Sequence, residues 1–244
     1  MIQVSELTKD YSTTIAVNKL SLNISAGEIY GFIGPNGAGK TTTIRMMGGI
    51  LAPTSGSIVI GGLDMARDPV AAKKMIGFVP DRPFLYEKLT GLEFLHFSAD
   101  LYDVNPETFP QKAEQLLRQF ALWDWADELI EAYSHGMKQR LIIASALLHD
   151  PQILIIDEPM VGLDPAAVHM VKDIFQELSQ KQITIFVSTH TLSIAEELCH
   201  RIGVIHKGML LAQGTVNELR QIAKLGEARL EEVFLTITKE DTFL

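Results

Sequence analysis

Residues 34–42 read Gly34-Pro35-Asn36-Gly37-Ala38-Gly39-Lys40-Thr41-Thr42. They fit the pattern G-x-x-x-x-G-K-[ST], with Gly34, Gly39, Lys40 and Thr41 at its fixed positions. Ahead of them, Glu28-Ile29-Tyr30-Gly31-Phe32-Ile33 is a short apolar run that reads as a buried strand. Behind them, Thr42-Thr43-Ile44-Arg45-Met46-Met47 reads as the start of a helix. Strand, glycine-rich loop and helix form the context in which this pattern binds phosphate. Small residues let the backbone approach a phosphate and aim several N–H groups at it. The helix N-terminus adds partial positive charge, Lys40 a full one, and the Thr41 hydroxyl can ligate Mg²⁺. All nine residues of the stretch are candidate nucleotide contacts.

The 244 residues are 47% hydrophobic, enough for a sizeable core. A net charge of −9 argues against holding nucleic acid by bulk electrostatics, and no nucleic-acid partner is expected. The single cysteine, Cys199, excludes an internal disulfide and a cysteine-rich zinc site, and fits a reducing compartment. No basic region followed by an apolar run marks the N-terminus as a secretory signal. The apolar run at 141–148 falls far short of the roughly 18 residues a membrane span needs.

Working outward, 2–9 and 20–25 read as strands, the second with Leu20, Leu22 and Ile24 alternating with Ser21, Asn23 and Ser25. With a strand at 57–60 they suggest an antiparallel sheet beside the nucleotide core. Tyr11, in the turn between the first two, reads by itself as an edge-strand tyrosine, with adenine stacking as the alternative. A strand at 77–80 ends at Asp81. Helical patterning comes next, with one face at Leu92, Leu95, Ala99 and Tyr102 and another at Phe109, Ala113, Leu116, Leu117 and Phe120. Asn105 and Pro106 read as cap and first position of that second helix. Trp123 and Trp125 are expected to anchor the packing of this inserted helical part, about 85–150. Ser134 reads as the N-cap of a helix carrying Met137, Leu141, Ala144 and Leu148, so Ser134 and Gly136 lie at a second helix N-terminus.

Ile153-Leu154-Ile155-Ile156 has the continuous apolar character of a central parallel strand, and it ends in Asp157-Glu158. Two carboxylates there need partners. Asp157 can hold Mg²⁺, and Glu158 can orient or deprotonate a water. Asp164 and Pro165 cap a further helix. Residues 183–187 form another strand, and His190 at its end is placed to meet a γ-phosphate. The tail reads as a strand pair around Lys207-Gly208 and two short helices.

Together these residues resemble the ATP-binding subunit of an ATP-binding cassette (ABC) transporter over essentially the whole chain. Residues 34–42 match its phosphate loop, and Ser134-His135-Gly136-Met137 stands where the signature Leu-Ser-Gly-Gly-Gln is usual. Residues 153–158 match the second nucleotide motif, Gly162-Leu163-Asp164 the loop crossing the dimer interface, and His190 the switch histidine. Tyr11 falls at the adenine-stacking position. The resemblance implies one α/β domain over 1–244: a RecA-like P-loop NTPase core (1–84 and 151–244) with an N-terminal antiparallel β part and a helical signature part.

It also implies ATP hydrolysis, with Glu158, His190 and Lys40 catalytic, and Mg²⁺ held by Thr41, Asp157 and Asp81. ATP would lie between the phosphate loop of one copy and Ser134 and Gly136 of a second copy or related subunit, with Asp164 in the dimer loop. The implied partner is a separate transmembrane permease, which would hold the chain on the cytoplasmic face of the membrane. The segments 83–86 and 230–235 look like those of export-type cassettes. The alternative is a soluble cassette such as an iron–sulfur assembly factor. Three positions depart from the family: Asp81 replaces a glutamine, His135 and Met137 replace a glycine and the glutamine of the signature, and Val161 stands where serine is common.

Overall fold

Alternating side chains build the first sheet. The computed structural model describes residues 1–82 and 84–240; Pro83, in one of the two export-like segments, lies outside the described residues. Strands β1 (Ile2–Asp10) and β2 (Ile15–Ile24) pair antiparallel, Ile2 opposite Ile24 and Val4 opposite Leu22, which turns these four residues to the core. After β3 (Ile29–Ile33) and α1 (Lys40–Met47), β4 (Ser55–Ile60) pairs with β1 and β5 (Leu63–Asp64) with β4, giving the order β2-β1-β4-β5. This sheet packs with α1 on one face of the second sheet, through Tyr30, Phe32, Ile44, Met46 and Phe186.

The second sheet is made from runs that are apolar on both faces, as strands covered on both sides require. A short α2 (Pro69–Lys74) leads to β6 (Ile76–Val79). Three helices come next, α3 (Gly91–Leu101), α4 (Phe109–Gln119) and α5 (His135–Leu147), before β7 (Ile153–Asp157). The chain continues through α6 (Pro165–Gln180), β8 (Thr184–Thr189), α7 (Leu192–Leu198), β9 (Arg201–His206), β10 (Met209–Gly214), α8 (Val216–Ile222) and α9 (Leu230–Glu240). The strand order is β10-β9-β3-β8-β7-β6, parallel except for β10. The carboxyl ends of β3, β7 and β8 therefore open on one edge, where α/β sheets bind ligands. That edge carries loop 34–39, Asp157-Glu158 and Thr189-His190.

Three expectations are corrected. Asn105 and Pro106 do not start α4, which begins at Phe109. The Asn105 carboxamide oxygen instead accepts from the Glu107 N–H at 2.9 Å, and its carbonyl from the Thr108 and Phe109 N–H groups, both at 3.1 Å. This is the local bond by which asparagine competes with helix. Of the two tryptophans expected to anchor the helical part, Trp123 packs, partly buried, against its core, and Trp125 does not. Trp125 is 43% exposed, and Trp123 lies under the Arg118 guanidinium on a short 3-10 turn. Phe120, Leu122 and Ile130, all fully buried, form the centre of that core. Tyr102, read on one helix face with Leu92, Leu95 and Ala99, falls one residue past the end of α3 and stacks on His149, ring centroids 3.8 Å apart. Among the described residues no helix is long and apolar enough to cross a membrane.

Candidate nucleotide-binding site

The cradle owes its shape to two glycines. Gly39 caps α1 at φ +108°, and a Cβ there would collide with the Ala16 carbonyl. A Cβ on Gly34 would collide with the Ile205 carbonyl. The helix starts at Lys40, two residues before the sequence suggested, so the N–H groups of its first turn face the loop. Lys40 is 7% exposed, and its ammonium donates to the Gly34 carbonyl at 2.7 Å and the Pro35 carbonyl at 3.1 Å. Burial pulls its pKa below the usual lysine value, and the carboxylates of Glu158 and Asp157 oppose that shift. A desolvated cation thus sits inside its own loop.

The second group is built by β7. Asp157, at its last position, is 2% exposed, and the Thr41 hydroxyl donates to its Oδ2 at 2.9 Å. Burial pushes its pKa upward. Ser188 and Thr41 pull it back, while the charges of Glu158 and Asp81 push it further up. The Ser188 hydroxyl is near enough to act on Asp157, yet finds no partner at hydrogen-bonding geometry. A desolvated carboxylate crowded by other carboxylates is stabilised by a cation placed against it.

Glu158 is held differently. Its backbone is left-handed, φ +54°, a conformation that costs a non-glycine residue about 1–3 kcal/mol. Its N–H donates to the Ser188 carbonyl at 2.9 Å, tying the bend to β8. The carboxylate accepts from Thr189 Oγ1 at 3.0 Å, from the His190 N–H at 3.0 Å and from His190 Nδ1 at 2.7 Å. For that last bond to a carboxylate, Nδ1 must carry the proton. Glu158 and His190, expected at the ends of two parallel strands, are thus in direct contact.

Lys40, Thr41, Thr42, Asn36, Gly37, Gly39, Asp157, Glu158, His190 and Asp81 line one open cleft of about 330 Å³, with Ala16 and Val161. Nothing in the sequence marked Ala16, which β2 brings over the loop. Asp81 stands at the rim, its side chain about half exposed, and also lines a neighbouring groove with Arg82, Phe84 and Tyr86. Other expected residues lie outside this lining. Tyr11 is half exposed on the β1–β2 turn, with the Lys9 ammonium 5.3 Å from its ring centroid. Pro35 is exposed, and Gly34 and Ala38 are packed beneath the loop. Asp164 caps α6, accepting from the Ala167 N–H at 2.8 Å.

Ser134 and Gly136 are also absent from the cleft. Ser134 is the N-cap of α5, its hydroxyl accepting from the Met137 N–H at 3.2 Å, and it faces solvent. The α5 N-terminus is thus a second helix end suited to an anion, but unlike that of α1 it does not share the cleft with the carboxylates and Lys40.

The ABC transporter family pattern matches residues 17–161. The chain is 35% identical over 241 residues to the ABC-type transporter ATP-binding protein EcsA of Bacillus subtilis, covering 99% of this chain and 98% of that one. It is 36% identical over 219 residues to the linearmycin resistance ATP-binding protein LnrL of the same organism, covering 90% and 70%. A dimeric ATP-binding cassette, MJ0796, solved in a post-hydrolysis state with ADP and Pi, superposes with a TM-score of 0.78 at 26% identity, covering 88% of this chain and 99% of that one.

Proposed function

This chain belongs to the ABC transporter family as an ATP-binding and ATP-hydrolysing subunit, and from that premise we propose that it works as half of a head-to-tail pair driving a separate permease. One observation carries the reading. The cleft gathers Lys40, Thr41, Asp157, Glu158 and His190, whereas neither Ser134 nor Gly136 of the signature helix end lines it, and Ser134 is exposed. A second copy presenting that end would complete the site and bury the exposed nucleotide edge. That the related cassette MJ0796 was solved as a dimer supports pairing of two copies.

Within the pair, Lys40 supplies positive charge to the outer phosphates and the loop N–H groups hold them. The Tyr11 ring offers a face for adenine. Thr41 and Asp157 offer only oxygen donors, one carboxylate and one hydroxyl bonded to each other, which suits a Mg²⁺ ion that also binds phosphates and water. Bound there, Mg²⁺ would neutralise phosphate charge. Asp81 is within electrostatic reach of Asp157, which supports a place for it at the rim of the ion site. Glu158 accepts a proton from the attacking water, and His190 both orients Glu158 and meets the γ-phosphate. Asp164 starts α6 beside the pair interface. We assign residues 85–150 as the signature-bearing helical part and the remainder as the catalytic part.

The permease would hold the chain at the cytoplasmic face of the membrane. Export is the direction that fits the resistance role printed in the name of LnrL and the export-like tail at 230–235. The test is extraction of the tagged chain in mild detergent, followed by identification of what co-purifies. A polytopic membrane protein in stoichiometric amount is expected. Recovery with soluble partners alone would overturn the transport reading in favour of a soluble cassette ATPase.

A further inference from the structure

The signature turn of this chain carries a histidine where the family usually has glycine, and that imidazole has a specific neighbour. The residues after Glu158 form a tight loop: the Val161 N–H donates to the Glu158 carbonyl at 3.3 Å and the Leu163 N–H to the Met160 carbonyl at 3.3 Å. Gly162, at φ +77°, faces the His135 ring so closely that a Cβ there would collide with Cδ2. Two further contacts join the same elements. A Cβ on Gly136 would sit 3.3 Å from the Gly162 carbonyl, and the buried Gln139 donates from Nε2 to the Pro159 carbonyl at 3.5 Å. The first turn of α5 and the loop that begins at Glu158 therefore approach each other at three points, with the His135 ring lying where a side chain on Gly162 would stand.

We infer that His135 is a positioning residue for Glu158, acting through Gly162, so that engagement of the signature turn by one ATP sets the catalytic carboxylate beside the other. The inference rests on the head-to-tail reading above. Ser134 and Gly136 belong to one composite site of the pair, and Glu158 of the same chain to the second. Displacing the signature turn would press the His135 ring on Gly162 and so bear on the loop that begins at Glu158. Glu158 is susceptible to such a push, because its left-handed backbone is maintained by its surroundings and not by its own preference. With glycine at 135, the Gly162 side of the contact would have no ring to bear on. The chemistry at His135 is shape: the exposed imidazole edge fills the space over a glycine, so an aromatic ring of similar width should replace it.

The test compares His135→Ala with His135→Phe in the full-length chain, by ATPase kinetics and by ATP-dependent dimerisation in a Glu158→Gln background. For His135→Ala we expect unchanged ATP affinity of the monomer and a retained ATP-dependent dimer. Its kcat should fall about tenfold, the rate effect of about 1.4 kcal/mol in the barrier, with a Hill coefficient reduced towards one. His135→Phe should restore kcat and cooperativity. Unchanged kcat and Hill coefficient in His135→Ala would overturn the inference, as would failure of His135→Phe to rescue. Loss of dimerisation in His135→Ala would make His135 a direct trans contact and overturn the positioning role. Absence of an ATP-dependent dimer with His135 intact would instead bring down the head-to-tail reading itself.

Discussion

Glu158→Gln is expected to lower steady-state ATP hydrolysis by about 10²- to 10⁴-fold, the contribution typical of a general base, while ATP binding persists. The substitution is nearly isosteric and leaves the surroundings satisfied. Its carbonyl oxygen can accept from the His190 N–H and ring as Oε1 does, at 3.0 and 2.7 Å. Its amide can donate to Thr189, whose hydroxyl now donates to Oε2 at 3.0 Å. What is lost is the ability to take a proton from water. Because binding is untouched and turnover is not, the ATP-bound pair should accumulate. Phosphate release measures the first effect and sedimentation in ATP the second. Hydrolysis at the unsubstituted rate would remove Glu158 from the catalytic role.

Lys40→Ala is expected to weaken nucleotide binding by about 2–4 kcal/mol, roughly 30- to 1,000-fold, the range for losing charge-assisted bonds to a multiply charged phosphate. The lysine is already desolvated, so its charge acts at low dielectric and water cannot take over its task when it is gone. The fold should tolerate the change, since Gly34 and Pro35 lose donors at a loop whose outer face meets solvent. Calorimetric titration with ATP, with a thermal melt as control, checks both halves. Tight binding by a well-folded variant would contradict the assignment of the phosphate loop.

Much of this site was legible in the sequence because it is written in short-range terms. The G-x-x-x-x-G-K-[ST] spacing fixes a turn, a cation and a hydroxyl within one stretch. The run Ile153–Ile156 can only be a covered strand, and the acidic pair Asp157-Glu158 must then sit at the strand's carboxyl end. The antiparallel first sheet was implied by the alternation at Leu20, Leu22 and Ile24. The features that were not legible depend on contacts between distant segments. Six-residue α2 and seven-residue α7 are too short to display a period. Asn105 looked like a cap because its chemistry suits caps and turns equally. Trp125 looked like an anchor by size, but Phe120 and Leu122, with Trp123 packed against them, fill the core instead. Ala16 over the phosphate loop, the Glu158–His190 bond and the His135–Gly162 contact join positions far apart in sequence, and no local pattern encodes them.

The central claim is that each ATP site is shared between copies, with the phosphate loop of one facing the signature turn of the other. It is tested most directly by thiol cross-linking of Asn36→Cys and Ser134→Cys, carried on separate Glu158→Gln chains. Asn36 and Ser134 are both exposed. The one native thiol, Cys199, is partly buried, and desolvation pushes its pKa up to about 12, so it is a poor competitor for the reagent. With a short bifunctional thiol reagent, a covalent dimer should form only when the two variants are mixed and ATP is present. Cross-linking of either variant with itself, or no ATP-dependent product from the mixture while both bind ATP, would contradict the shared site.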